Sequence, residues 1–159
     1  MRLWRIATET RSHPAHDLSG GGAAKYPGRW NDAGEAVVYA APSLALAVLE
    51  TVAHIDNGGF PLNRFVIEID VPDSVWALHE RLEMATLPSA WSAIPAGQAS
   101  VKLGSRWLAS QRSPILLVPS VIVPEERAAL INPQHPLAAQ ISTTVLRAFD
   151  YNRLFRAPP

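Results

Sequence analysis

Cysteine is absent from the 159 residues, which excludes disulfides, thiolate nucleophiles and cysteine-ligated metals. Net charge is absent too, because 14 Lys and Arg balance 14 Asp and Glu. Binding to nucleic acid by bulk electrostatics needs a surplus of cations facing the phosphates, so no direct nucleic-acid contact is expected. The chain has no run of roughly 18 uncharged apolar residues, the length a membrane helix needs. Its opening, MRLWRIATETRSH, is broken by charge every few residues and lacks the apolar core of a signal peptide. The expectation is a soluble cytoplasmic protein with no membrane contact. Internal repeats and low-complexity tracts are missing as well.

Several catalytic signatures are also lacking. There is no HExxH pattern, and His13 and His16 flank Pro14 in a polar loop instead of sharing a helix face, so no metal site is expected. No G-x-S-x-G elbow is present. The triple glycine Gly20-Gly21-Gly22 is followed by no G-K-[ST] and fits no dinucleotide fingerprint. It reads as a flexible loop.

What is present is enough for one real core. With 48% of residues hydrophobic, the chain is too apolar to be disordered, and its length predicts one domain spanning residues 1–159. Fourteen prolines and nine glycines cut it into short elements, which favours mixed α and β. Leu3 to Ala7 reads as a strand, followed by a long polar loop up to Tyr26-Pro27-Gly28-Arg29-Trp30-Asn31; such loops often bind ligands or act as lids. Val37 to Ala41 is a strand stopped by Pro42. Ser43 then caps a helix whose Ala45, Val48, Leu49 and Val52 form an apolar stripe, with Glu50 beside it. A more polar face carries His54, and Asp56-Asn57-Gly58-Gly59 ends this helix. Phe65 to Val71 reads as a half-buried strand, and Val75 to Leu78 as a short one. Ala96 to Ser110 reads as a helix weakened by Gly97 and Gly104. Ile115 to Val123 reads as two short strands kinked at Pro119, Glu125 to Ile131 as a helical turn, and Gln140 to Phe149 as a strand.

A few residues invite chemistry, each beside a plainer alternative. Arg29, between Gly28 and Trp30 at the mouth of a loop, could fork onto a phosphate; otherwise it is salt-bridged or stacked on Trp30. Arg5 lies inside an apolar strand, where an unpaired charge is costly, so it needs a buried carboxylate or a bound anion. Tyr39 is either a core aromatic with a satisfied hydroxyl or a platform for a flat ring. Glu50 reads most simply as a solvated helix residue, and Ser120 as a hydroxyl bonded to local backbone.

Taken in order, LWRIA, GRWN, VVYAA-PSLALAVLE, VPSVIVPEE and LINPQHP resemble the RES domain, named for its Arg, Glu and Ser and found as the toxin half of bacterial toxin–antitoxin pairs. The resemblance runs from Leu3 to about Leu154. It implies an α+β, ADP-ribosyltransferase-like fold in which two packed, mostly antiparallel sheets flanked by helices hold NAD between them. It also implies an enzyme that consumes NAD by hydrolysis or phosphorolysis, or that transfers ADP-ribose to a host protein. A non-catalytic module that only binds its partner is the rival of another class.

The positions that match are Arg5, Arg29, Tyr39, Glu50 and Ser120, with Asn132 a weaker candidate. By resemblance, Glu50 stabilises the positive charge that develops on the ribose as nicotinamide leaves. Tyr39 stacks on or walls in the nicotinamide ring, Arg5 and Arg29 hold the diphosphate, and Ser120 orients either Glu50 or the nicotinamide amide. The implied partner is an Xre-like helix-turn-helix antitoxin that covers the NAD cleft, and a homodimer is the default assembly. Some related transferases carry a second acid two positions before the catalytic Glu. Here that position is Val48, which tilts the expectation mildly towards simple NAD breakdown.

Overall fold

The computed structural model describes residues 1–11, 13–53, 55 and 60–155. His54 and the expected helix stop at Asp56 to Gly59 lie outside the described residues. Two sheets carry the architecture. In the first, β1 (Arg2–Thr8) pairs antiparallel with β3 (Arg64–Asp70), which pairs antiparallel with β7 (Ser142–Phe149). The second has the order β2 (Val38–Ala40), β6 (Arg127–Ile131), β5 (Ile115–Pro119) and β4 (Glu80–Arg81); its pairs are antiparallel except β4 with β5. Two 2.8 Å backbone hydrogen bonds between Trp4 and Ala41 join the sheets at one bridge. This is the mixed α/β, two-sheet arrangement that the resemblance implies.

The period-2 alternation of the strands explains where the core forms. Leu3, Ala7, Ile67 and Ile69 from the first sheet meet Val38, Ala40, Ile115, Leu117, Ala129 and Ile131 from the second in one buried cluster. The alternate residues Leu116, Val118 and Leu130 face the other way. There they pack with Trp30, Trp91 and Trp107, the last carried by α4 (Gln98–Ser110). On the outer side of β1, Ile6 and Val66 pack against α2 (Leu44–Val52).

The cap of α2 is as expected: the Ser43 hydroxyl accepts from the Leu46 amide at 3.1 Å. Ser43→Ala should lower stability by about 1 kcal/mol, read as a shift in the denaturation midpoint at unchanged m-value. The buried face of α2 matches the expected stripe only at Val48 and Val52, which pack against Ile6, Val66 and Tyr151. Leu46 and Ala47 are buried while Ala45 and Leu49 are exposed. In a helix reading LALAVL, apolar residues surround the axis, so periodicity selects no face. Contact with Trp4 and Ala41 selects it instead.

Four local expectations are corrected by tertiary context. Arg127 to Ile131 is a strand, not a helical turn, because pairing with β5 and β2 buries Ala129, Leu130 and Ile131 and overrides local helix propensity. Asp73–Trp76 forms α3, a single helical turn started at Pro72, where a strand over Val75 to Leu78 is expected. Ile115 to Val123 contains one strand: β5 ends at Pro119, and the Ser120 hydroxyl turns the chain by accepting from the amides of Ile122 and Val123. Within the polar loop, Gly21–Lys25 forms a short helix, α1. Gly104 does more than weaken α4. A Cβ there would lie 1.7 Å from the Trp30 carbonyl oxygen, so the helix and the Trp30 loop pack backbone against backbone.

Candidate active site

The site begins with the loop Gly28-Arg29-Trp30-Asn31. The Asn31 side chain, 0% exposed, closes it: its Oδ1 accepts from the Gly28 amide at 2.9 Å, and its amide donates to the carbonyls of Ala23, Asp32 and Glu35 within 3.1 Å. Trp30 is buried and stacked on Trp91, ring centroids 6.0 Å apart. With both flanks pinned, Arg29 extends from the apex, and one guanidinium nitrogen donates to the carbonyls of Trp91 (2.9 Å) and Ala93 (2.8 Å). Burial pulls the Arg29 guanidinium below its ordinary range, while the nearby Glu50 and Tyr39 act in the opposite direction. Arg29 is thus half-buried, gripping neutral carbonyls and close to a carboxylate.

Tyr39 lies on β2 with its hydroxyl committed twice. It donates to Asn31 Oδ1 at 2.8 Å and accepts from the Trp30 amide at 3.0 Å. Desolvation pushes the phenol well above its usual value, which leaves the hydroxyl a fixed neutral donor and the ring as the part that can meet a ligand. Gly28 lies flat against this ring, where a Cβ would come within 2.8 Å of the phenol carbon.

Glu50 projects from α2 to meet Ser120 at the end of β5. The Ser120 hydroxyl donates to Glu50 Oε1 at 2.6 Å. Since the same oxygen accepts from the amides of Ile122 and Val123, each at 3.1 Å, both its lone pairs are occupied and its single proton is directed at Glu50. Glu50 Oε1 is therefore the acceptor of that bond. Ser120 is 2% exposed whereas Glu50 is half-buried. Glu50 is therefore no freely solvated helix residue, and Ser120 bonds both local backbone and a remote carboxylate.

The fold thus gathers Arg29, Tyr39, Glu50 and Ser120 from a loop, a strand, a helix and a strand end. It does not bring Arg5 or Asn132 to them. Arg5 shares the side of β1 that carries Leu3 and Ala7, whereas α2 packs on the Trp4 and Ile6 side. The cost of its charge is met by the Asp17 carbonyl at 3.1 Å and by the nearby Asp17 carboxylate, although burial still lowers its proton affinity. Asn132 lies across from Pro114, its amide donating to the Leu108 carbonyl and its Oδ1 accepting from Gln134. That is the far end of β5 from Ser120, on the order of 20 Å away at about 3.3 Å per residue. His13 and His16 are exposed loop residues.

Sequence reasoning gave no role to Asn31, Trp91 or Ala93. The last two contribute through their main-chain carbonyls, which no side-chain motif announces. Asn31 offered only its place next to Trp30.

Comparison with known proteins places the chain in a family. The RES domain family matches residues 2–153. The chain is 54% identical over 150 residues to the Prs ADP-ribosylating toxin of a Sphingobium species, covering 94% of this chain and 93% of that one. It is 38% identical over 135 residues to Toxin Res of Yersinia enterocolitica, covering 85% and 86%. It is also 37% identical over 157 residues to Toxin Res of Pseudomonas putida, covering 98% and 100%. The chain therefore belongs to the RES domain family and is a relative of toxins.

Proposed function

We propose that this chain is a toxin that breaks the nicotinamide–ribose bond of NAD and passes the ADP-ribose to a protein acceptor. The observation that carries this reading is the placement of Glu50, held by a hydrogen bond from Ser120 beside the Arg29 guanidinium. The donor set also fits NAD in its division of labour. Arg29, Tyr39 and Glu50 are the half-buried members able to meet a ligand, while Ser120 and Asn31 are buried supports.

In NAD the leaving ring is already cationic. As the C1′–N bond breaks, its electron pair leaves with nicotinamide and positive charge develops on the ribose. A fixed carboxylate stabilises that charge without reorganising. Glu50 takes this role, Arg29 the diphosphate and the Tyr39 ring the wall against nicotinamide. The acceptor's nucleophile then bonds C1′ and releases its proton. Arg5 and Asn132 support this site indirectly, the first holding the Asp17 loop and the second the corner between β6 and α4.

The order of the two acceptors changes from the expectation at Val48. On a strand, residues two apart share a face. On a helix they lie about 200° apart, and Val48 packs towards Ile6, Val66 and Tyr151. The absence of an acid there therefore says nothing about the acceptor. The 54% identical relative, whose name states ADP-ribosylation of Prs, favours a protein ahead of water or phosphate. A toxin of this kind has to be kept silent, which supports an Xre-like helix-turn-helix antitoxin seated over the cleft in the cytoplasm. Among the described residues no helix is long and apolar enough to cross a membrane.

The test mixes the purified chain with NAD, with and without phosphate, and then with cell lysate, following products by chromatography and ADP-ribose on protein. Consumption that depends on lysate and labels a protein supports transfer. Rapid nicotinamide release with free or phosphorylated ADP-ribose makes water or phosphate the acceptor. Intact NAD in every arm overturns the reading in favour of a binding module. Within it, Ser120→Ala should lower kcat by about tenfold or more with little change in KM, the size of losing one charge-assisted hydrogen bond.

A further inference from the structure

We propose that Asn31 is the positioning residue that sets the NAD-binding pair Arg29 and Tyr39 in a single geometry; this rests on the functional reading above. Asn31 is 0% exposed, so it touches no substrate. Its Oδ1 nevertheless receives two hydrogen bonds from the two sides of the site. One comes from the amide of Gly28, the residue before Arg29, and the other from the Tyr39 hydroxyl. The Trp30 amide completes a ring of contacts by donating back to the Tyr39 hydroxyl. Asn31, Trp30 and Tyr39 therefore lock the base of the Arg29 loop to the β2 strand through one oxygen on each side.

The other end of the amide anchors this lock to the scaffold. Its two N–H groups are shared among the carbonyls of Ala23, Asp32 and Glu35. The Glu35 carboxylate in turn accepts from the Asp32 amide and the Ser105 hydroxyl of α4, each at 2.7 Å. Asparagine suits the position because it is a single planar group with an acceptor facing the site and donors facing the loop. Aspartate lacks the donors, and a hydrophobic residue removes one hydrogen-bond partner from each of five part-buried polar groups.

The geometry predicts an effect on ground-state binding and not on bond cleavage, because Arg29 and Tyr39 hold the substrate while Glu50 is positioned separately by Ser120. Steady-state NAD kinetics of the full chain, with the folded fraction measured by circular dichroism, are the test. Asn31→Ala should raise KM for NAD about tenfold, with kcat per folded molecule within about threefold of wild type. Tyr39→Phe, which keeps the ring and removes one of the two bonds to Oδ1, should raise KM by about threefold. Combined, the two substitutions should cost less than the product of their separate effects, because they break the same contact. An Asn31 that were merely structural would lower the active fraction and leave KM unchanged, and that result overturns the inference. If Asn31→Ala does not fold, an unchanged KM for Tyr39→Phe overturns it equally. A wild-type chain that leaves NAD intact defeats the functional reading and this inference with it. Wild-type turnover with unaltered KM in both variants defeats the inference alone.

Discussion

Glu50→Gln is expected to leave the fold intact and to slow NAD cleavage by about 10²–10³-fold, the loss measured when one electrostatic contact to a transition state is removed. The substitution is nearly isosteric. Its amide oxygen can still accept from Ser120, whose hydroxyl is directed there by the amides of Ile122 and Val123. What disappears is the full negative charge beside Arg29, which is needed most when the ribose turns cationic. The effect should therefore fall on kcat, with KM for NAD changing little. Nicotinamide release at saturating NAD, compared with wild type at matched melting temperature, is the measurement. A rate within about fivefold of wild type would mean that Glu50 is not the charge-stabilising group, since electrostatic contacts of this kind carry far more.

Gly104→Ala carries the largest expected effect on stability, and two principles give it opposite signs. Alanine is the better helix former by about 1 kcal/mol, so α4 considered alone would gain. The Cβ, however, would lie 1.7 Å from the Trp30 carbonyl oxygen and 2.6 Å from its carbon. These are backbone atoms that no rotamer change moves aside. Either α4 or the Trp30 loop must shift, and overpacking of that kind costs about 1–3 kcal/mol and occasionally more. The clash is severe enough to put this site at the upper end, so packing wins over propensity. A fall in melting temperature of roughly 6–12 °C is expected at this chain length. A displaced Trp30 also displaces its neighbours Arg29 and Asn31, so weaker NAD binding should accompany the lower stability. An unchanged or higher melting temperature would show that the close approach of the two backbones is relieved at little cost.

Both predictions rest on contacts between residues distant in the chain, and this divides what was readable beforehand from what was not. The strand over Leu3 to Ala7, the Ser43 cap and the alternation of β3 were legible because each depends on neighbours within a few positions. Glu50 and Ser120 were named by their place in a family pattern, yet composition and periodicity gave each only a bland role. Their partnership spans 70 positions, and no local signal encodes it. Arg29 shows the same limit from another direction. Its motif was visible, but its carbonyl partners Trp91 and Ala93 come from a stretch between Pro88 and Pro95 that carries no regular hydrophobic period.

The amino-acid sequence by itself determined that the chain has no thiol chemistry, balanced charge, enough apolar surface for a core, and short mixed elements. It determined these because composition and period-2 or 3.6-residue spacing are local properties. Tertiary structure alone decided that Arg127 to Ile131 is a strand and which face of α2 is buried. It also decided that Gly104 exists to admit a carbonyl and that Asn31 joins Arg29 to Tyr39. In each of these the deciding energy comes from burial or hydrogen bonding against a partner far along the chain. Local preferences worth a fraction of a kcal/mol per residue yield to it.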